Sequence, residues 1–204
     1  RAALGLDKPL LIQYVDWIGN FLAGNLGFSF GNRQPVLDII AQRLTPTLLL
    51  MSLSLLVAYI TAIPLGIWAA LRKDTIWDRC IIGWTFLNVS FPPFFLGLAL
   101  IYVFAVQLDI FPTGGMSVLG SDGDAEDLIL HLVLPVLVMA SQFSANMIRY
   151  VRSSVIDVMH QNYIRTALAK GLSWPQILWH HVLRNSLIPI ITVIGTDLPK
   201  IIGG

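Results

Sequence analysis

The sequence predicts an all-helical, multi-pass membrane protein, and three observations carry that expectation. Only 12% of its 204 residues are charged and 55% are hydrophobic, against about 25% charged in an average soluble domain. The charges also leave long gaps: 28 residues between Arg43 and Arg72, 29 between Arg79 and Asp109, and 21 between Asp127 and Arg149. A helix crosses the hydrocarbon of a bilayer with about 20 apolar residues, so each gap is long enough. Third, the alternating pattern of a membrane barrel strand is absent, and backbone groups in lipid must be satisfied within the segment, which leaves helices.

In order, the spans fall at about 47–71, 80–108 and 128–148, with a fourth from 185 to 204 that is expected to be incomplete. Pro64 in the first span and Pro92-Pro93 in the second are expected to kink their helices, which a bundle tolerates when neighbours satisfy the freed carbonyls. The chain opens on Arg1-Ala2-Ala3-Leu4 and closes on Ile201-Ile202-Gly203-Gly204, so the expectation is a piece of a longer membrane protein, truncated at both ends. A formal charge of +1 points to no nucleic-acid partner. Cys80 stands alone and cannot form an internal disulfide.

Basic residues set the orientation. Arg72, Lys73 and Arg79 lie in the first connection, and Arg149, Arg152, Arg165, Lys170 and Arg184 in the third. The connection between them has no Lys or Arg and carries Asp109, Asp122, Asp124, Glu126 and Asp127. The basic loops are therefore assigned to the cytoplasm and the acidic loop to the outside. Residues 1–46 then form an external segment, with 47–204 as the transmembrane core. Within that segment Leu10, Leu11, Tyr14, Trp17, Ile18 and Phe21 recur at helical spacing, and Gly24 and Gly27 end the pattern. An amphipathic helix at the outer surface fits this pattern, as does one packed on other spans.

The third connection, residues 149–184, is the most informative. Connections of this length are usually functional or disordered, and this one is not low in complexity. Val155, Met159, Tyr163 and Ile164 continue a helical stripe. Ala167 to Lys170 are good helix formers, and Gly171 stops them as a C-terminal cap. Ser173 then caps a second helix, with Pro175 in its first turn and Gln176 closing a capping box. The spacing predicts helix, glycine turn, helix.

Tyr163-Ile164-Arg165-Thr166-Ala167-Leu168-Ala169-Lys170-Gly171-Leu172-Ser173, followed by His181-Val182-Leu183-Arg184-Asn185-Ser186-Leu187-Ile188-Pro189, resembles the cytoplasmic "EAA" loop of permease subunits of binding-protein-dependent ABC importers. The likeness is strongest to the oligopeptide, dipeptide and nickel branch. It extends to Leu4-Gly5-Leu6-Asp7-Lys8-Pro9, Gly24-Asn25-Leu26-Gly27-Phe28-Ser29, Arg43-Leu44-Thr45-Pro46-Thr47-Leu48, Ile63-Pro64-Leu65-Gly66 and Phe91-Pro92-Pro93-Phe94-Phe95-Leu96-Gly97. The general pattern is Glu-Ala-Ala, three residues, Gly, nine residues, then Ile-x-Leu-Pro. Here Arg165 and Thr166 stand for Glu and Ala, His181 for Ile and Arg184 for Pro, while Ala167, Gly171 and Leu183 match. The peptide and nickel branch shows this altered form.

The resemblance implies a type I importer permease of the bacterial or archaeal cytoplasmic membrane, forming half of a pathway for di- or oligopeptides, with nickel or glutathione as alternative cargo. It implies two ATPase subunits that hold ATP and Mg, a second homologous permease and an extracytoplasmic solute-binding protein, with no cofactor on this chain. Tyr163, Arg165, Thr166, Ala167, Ala169, Lys170 and Gly171 would be its coupling residues: the small alanines permit close approach and the cations meet polar groups of the ATPase.

No phosphate-cradling G-x-x-x-x-G-K-[ST] motif or H-E-x-x-H occurs, and no catalytic constellation is evident, so the chain is expected not to be an enzyme. His180 and His181 are adjacent, point to different helix faces and form no metal site. The three complete spans contain no Asp, Glu, Lys or Arg. That disfavours an ion-coupled carrier, which needs ionisable groups in the membrane; a membrane scaffold is the other rival. Asn88, Ser90, Gln142 and Asn146 are the expected uncharged pathway-lining groups, with helix packing as their alternative role. Ser141 and Ser144 belong to the same set.

Overall fold

The computed structural model describes residues 8–117 and 124–203. Asp122 of the acidic loop and the Leu4 to Asp7 part of the resemblance lie outside the described residues. The chain divides into two compact units, Arg1–Thr47 and Leu48–Gly204. The described residues are helical apart from turns and one isolated antiparallel bridge, Phe28 to Pro35.

In the first unit, helix α1 (Leu10–Leu22) follows Pro9, whose carbonyl accepts from the Ile12 and Gln13 amides. None of its residues is buried. Tyr14, Trp17 and Phe21 form a ladder of rings with centroids 6.2 and 5.7 Å apart, as i, i+3 and i+7 positions of one helix face must. Gly24 adopts φ +78° and turns the chain out of the helix. The Phe28–Pro35 bridge then leads into helix α2.

Helix α2 (Val36–Leu71) starts eleven residues before the expected span. Its first turns carry Asp38, Gln42 and Arg43. The apolar block marks where hydrocarbon begins, whereas the helix begins where backbone bonding does. At 36 residues it is about 54 Å long, well beyond the roughly 30 Å of the hydrocarbon layer. It passes through Pro46 and Pro64 without a break in its helical assignment.

The second expected span is not one helix. Helix α3 (Ile76–Ser90) ends at Phe91, helix α4 (Pro93–Leu100) begins after Pro92, and a π-helical stretch, Ile101–Gln107, extends α4. The two halves meet at 97°. Two prolines in succession remove two amide donors and push the preceding residue into the extended region, where Phe91 lies at φ −92°, ψ 127°. A bend this sharp makes either a broken span or a re-entrant pair.

Helix α5 (Ala125–Met159) is capped by Asp124, whose side chain accepts from the Glu126 amide, and it runs through Pro135. It extends eleven residues past the expected end of the third span. The stripe expected from Val155 to Ile164 is accordingly split. The Gln161 backbone is extended at ψ 148°, and helix α6 (Asn162–Ala169) starts afresh. Helix α7 (Trp174–Ile177) passes through a π-helical stretch, Leu178–Leu183, into helix α8 (Arg184–Asp197) and the short α9 (Lys200–Gly203). The fourth apolar segment is therefore helical from Trp174, eleven residues earlier than expected.

In the second unit the core joins α2, α5, α6, α7 and α8 through Ala62, Ala70, Met147, Ile148, Val151, Val155, Ile164, Ala167, Ile177, Val182 and Ile190. Helices of the membrane and of the projecting loop thus share one buried cluster.

Candidate functional site

The projecting loop is built around Gly171. The Gly171 amide donates to the Leu168 carbonyl at 2.9 Å, and the Leu172 amide to the Ala167 carbonyl at 3.3 Å. Those two bonds, with Gly171 at φ +80°, form a Schellman closure of α6. A Cβ at Gly171 would meet nothing within 4 Å, so the glycine is required by its backbone angle and not by crowding. Two residues on, the Ser173 amide donates to Gln176 Oε1 at 3.0 Å, completing the expected capping box at the start of α7.

Helix α6 presents two faces. Ile164 and Ala167, three apart, are buried at 2% and 6% exposure in the core. Tyr163, Arg165, Thr166, Ala169 and Lys170 are exposed. Ala167 belongs to the chain's own core, where its small side chain lets α6 lie close. Leu168, Leu172, Trp174 and Trp179 are exposed large apolar groups around the same turn. They were missed because apolar residues in a loop read as core when only the sequence is in view.

The expected pathway residues separate. Asn88 is buried, with Nδ2 donating to the Trp84 carbonyl. Gln142 Nε2 donates to the Asn88 carbonyl at 2.9 Å and to the Phe91 carbonyl at 3.4 Å. In an unbroken helix the Asn88 carbonyl would accept from the amide of residue 92, but residue 92 is proline. Gln142 of α5 therefore supplies the donor that Pro92 lacks. This pair packs the bend. Ser90 is exposed and bonds back to the Phe86 carbonyl. Asn146 is exposed and accepts from Arg149 Nη2 at 2.7 Å, while the Arg149 guanidinium lies 5.5 Å from the Phe86 ring. Ser141 and Ser144 bond back to carbonyls of their own helix.

Gln142→Leu, nearly matched in volume, leaves the Asn88 carbonyl without its donor. The expected loss is about 1–2 kcal/mol, or a fall of roughly 2–8 °C in the melting temperature of the purified membrane protein, read by a thermal-shift assay. An unchanged melting temperature would show that the bend needs no surrogate donor.

A second cross-helix contact was not visible in the sequence. At the start of α3, Asp78 is buried and faces Arg152 of α5 as a two-pronged pair, Nε to Oδ1 and Nη2 to Oδ2, both 2.6 Å. The Asp74 amide also donates to Asp78 Oδ2 at 3.0 Å. The pair ties the first half of the bent segment to α5 at the end carrying the basic loops. Asp74 and Asp78 are the two acidic members of an otherwise basic connection, which was the available signal.

A short loop helix with a glycine closure and a buried inner face thus stands beside helices long and apolar enough to cross a membrane. The family model for "Binding-protein-dependent transport system inner membrane component" matches residues 62–204, and the chain belongs to that family. It is 42% identical over 201 residues to the oligopeptide transport system permease protein AppB of Bacillus subtilis, covering 98% of this chain and 64% of that protein. It is 38% identical over 204 residues to the glutathione transport system permease protein GsiC of Escherichia coli K12, covering 100% of this chain and 63% of that protein. The chain thus spans less than two thirds of the length of these curated relatives. Family and apolar helices place it in the cytoplasmic membrane as a multi-pass protein.

Proposed function

We propose that this chain is the membrane-spanning subunit of an ATP-driven ABC importer and forms half of the translocation pathway for di- or oligopeptides. It works with two ATPase subunits that hold ATP and Mg, a second homologous permease and an extracytoplasmic binding protein, and itself performs no catalysis. Residues 1–46 lie on the outer side and residues 47–204 form the transmembrane core. The observation that carries this reading is α6: its inner face is fixed in the core by Ile164 and Ala167, and its outer face carries Tyr163, Arg165, Thr166, Ala169 and Lys170. Force applied to that outer face reaches α2, α5 and α8 through one packed cluster. Of the uncharged lining candidates, Ser90 and Asn146 are exposed and suit a water-filled wall. Glutathione is the alternative cargo, favoured by the name of one relative.

Thiol cross-linking tests the docking surface. Cys80 is replaced by Ser and a cysteine placed at Ala169, which is exposed, in the complete protein co-expressed with an ATPase subunit carrying cysteines along its surface groove. A cross-link whose yield changes with ATP supports docking; none from Ala169 or Thr166 counts against it. Cargo-stimulated ATP hydrolysis by the reconstituted complex separates the importer from an ion-coupled carrier or a scaffold.

Gly171→Val sharpens the same test. A side chain in the left-handed region costs about 1–2 kcal/mol, and more when β-branched, so the Schellman turn is expected to open and α6 to lose its fixed presentation. Peptide uptake should fall to below about a tenth, since about 1.4 kcal/mol already corresponds to tenfold, while membrane levels of the protein stay near normal. Normal uptake would overturn the coupling role of this turn.

A further inference from the structure

One charged cluster lies inside the membrane-crossing region. Tyr59 Oη of α2 donates to Asp197 Oδ2 of α8 at 2.8 Å. Lys200 Nζ donates to the other oxygen, Oδ1, at 2.6 Å and lies 5.9 Å from the Phe143 ring of α5. Counted along α2, Tyr59 is about 18 Å from the helix end at Leu71; counted along α8, Asp197 is about 20 Å from Arg184. Two antiparallel paths from the basic side thus reach the same depth, well inside a hydrocarbon layer about 30 Å thick. The Asp197 side chain is 15% exposed, but that of Lys200 is 54% exposed.

The exposed surface of this segment is divided. Ile188, Ile191, Leu198 and Ile202 form an apolar stripe. Thr192, Thr196 and Lys200, spaced by four and all exposed, form a polar stripe about 120° round the axis. The two threonines bond back to their own helix and would tolerate lipid. The Lys200 ammonium is held by Asp197 yet stays more than half exposed, and a charge at this depth faces protein or water.

We propose that the Thr192–Thr196–Lys200 stripe faces the water-filled pathway, and that Lys200 pairs there with the carboxylate of passing cargo. Asp197, held by Tyr59, sets Lys200 in place and keeps a hydrogen-bond donor when the ammonium turns to the cargo. The cargo part rests on the importer reading. A lysine point charge with one of its three donors committed to Asp197 suits a carboxylate that must bind briefly and leave.

The test uses the complete protein with its partner subunits in proteoliposomes. In the Cys80→Ser background, Lys200→Cys should react with a membrane-impermeant charged methanethiosulfonate at least about tenfold faster than Ile188→Cys, because thiol reaction follows access to water. Equal rates, or reaction only with a lipid-soluble maleimide, would overturn the pathway assignment. For cargo, trialanine is compared with its C-terminal amide. Lys200→Met should lower trialanine import relative to the amide by about tenfold, and Lys200→Arg should retain the preference. If both peptides fall alike in Lys200→Met, the cluster only holds helices together and carboxylate recognition is wrong. If the wild type moves neither peptide, the importer reading and the cargo role fall together, and the thiol rates still decide whether the stripe faces water.

Discussion

Gly66→Val is expected to abolish most correctly folded protein, lowering the monodisperse peak in fluorescence-detected size-exclusion chromatography at least about tenfold. A Cβ at Gly66 would lie 2.7 Å from Val151 Cβ, 2.8 Å from Val151 Cγ1 and 2.9 Å from the Ile148 carbonyl oxygen. Neither a Cβ nor a backbone oxygen can be turned aside by a rotamer change, and Val151 and Ile148 are fully buried. Helix α5 as a whole would have to retreat from α2. Overpacking typically costs about 1–3 kcal/mol, and a backbone-to-backbone contact belongs at or above the top of that range. Even Gly66→Ala should be damaging, since it introduces the same Cβ. Gly83→Ala is the control: nothing lies within 4 Å of its Cβ position, and in a helix the change should be neutral or mildly stabilising. A normal Gly66→Val peak would mean that α2 and α5 do not approach as described.

That contact belongs to a longer pattern. Ser54, Ala58, Ala62, Gly66 and Ala70 recur at every fourth position of α2, and all five are buried. Helices in lipid gain little from the hydrophobic effect and associate through close packing, for which small residues at this spacing are suited. The stripe lay in plain view within the apolar block. Counting apolar residues did not separate it from its neighbours, because lipid and protein interior are equally apolar; side-chain size does. For the same reason the existence of the spans could be read from the sequence, whereas which side of each faces protein could not.

Local chemistry was read more successfully than helix ends. The turn at Gly171 and the capping box at Ser173 depend on residues within five positions of each other, so spacing alone specifies them. Charges were used as span limits, but Arg43, Arg149 and Arg184 all lie within or at the start of helical segments, and helix continues past each of them on both sides. Pro92-Pro93 announced a kink, and the structure turns it into a 97° bend. The donor that makes the bend tolerable, Gln142, sits 54 residues from the carbonyl it serves, and no local pattern pairs them. Asp197 and Lys200 interrupt an apolar run in the sequence. The bond from Tyr59 to Asp197 across 138 positions, with Lys200 on the other oxygen, makes them a cluster.

The Asp78–Arg152 pair carries the other large expectation, and its two halves should not be equivalent. Removing one partner of a buried ion pair costs about 3–5 kcal/mol, chiefly because the other is left unpaired. Asp78 is the more deeply placed, with a side chain 5% exposed against 24% for Arg152. Arg152→Met therefore strands a buried carboxylate that keeps only the Asp74 amide. Asp78→Asn leaves a guanidinium whose long stem can carry it toward water, and the amide is nearly matched in shape. Arg152→Met should be the more destabilising, by an amount near the low end of that range because the pair is not fully enclosed. The double variant should lose less than the two singles together, since replacing both charges removes the stranded one. Melting temperatures of the four proteins in one detergent form a closed cycle that measures the coupling. If the two single losses simply add, the ion pair does not hold α3 to α5, and the anchoring of the bent segment has to come from Gln142 and apolar packing alone.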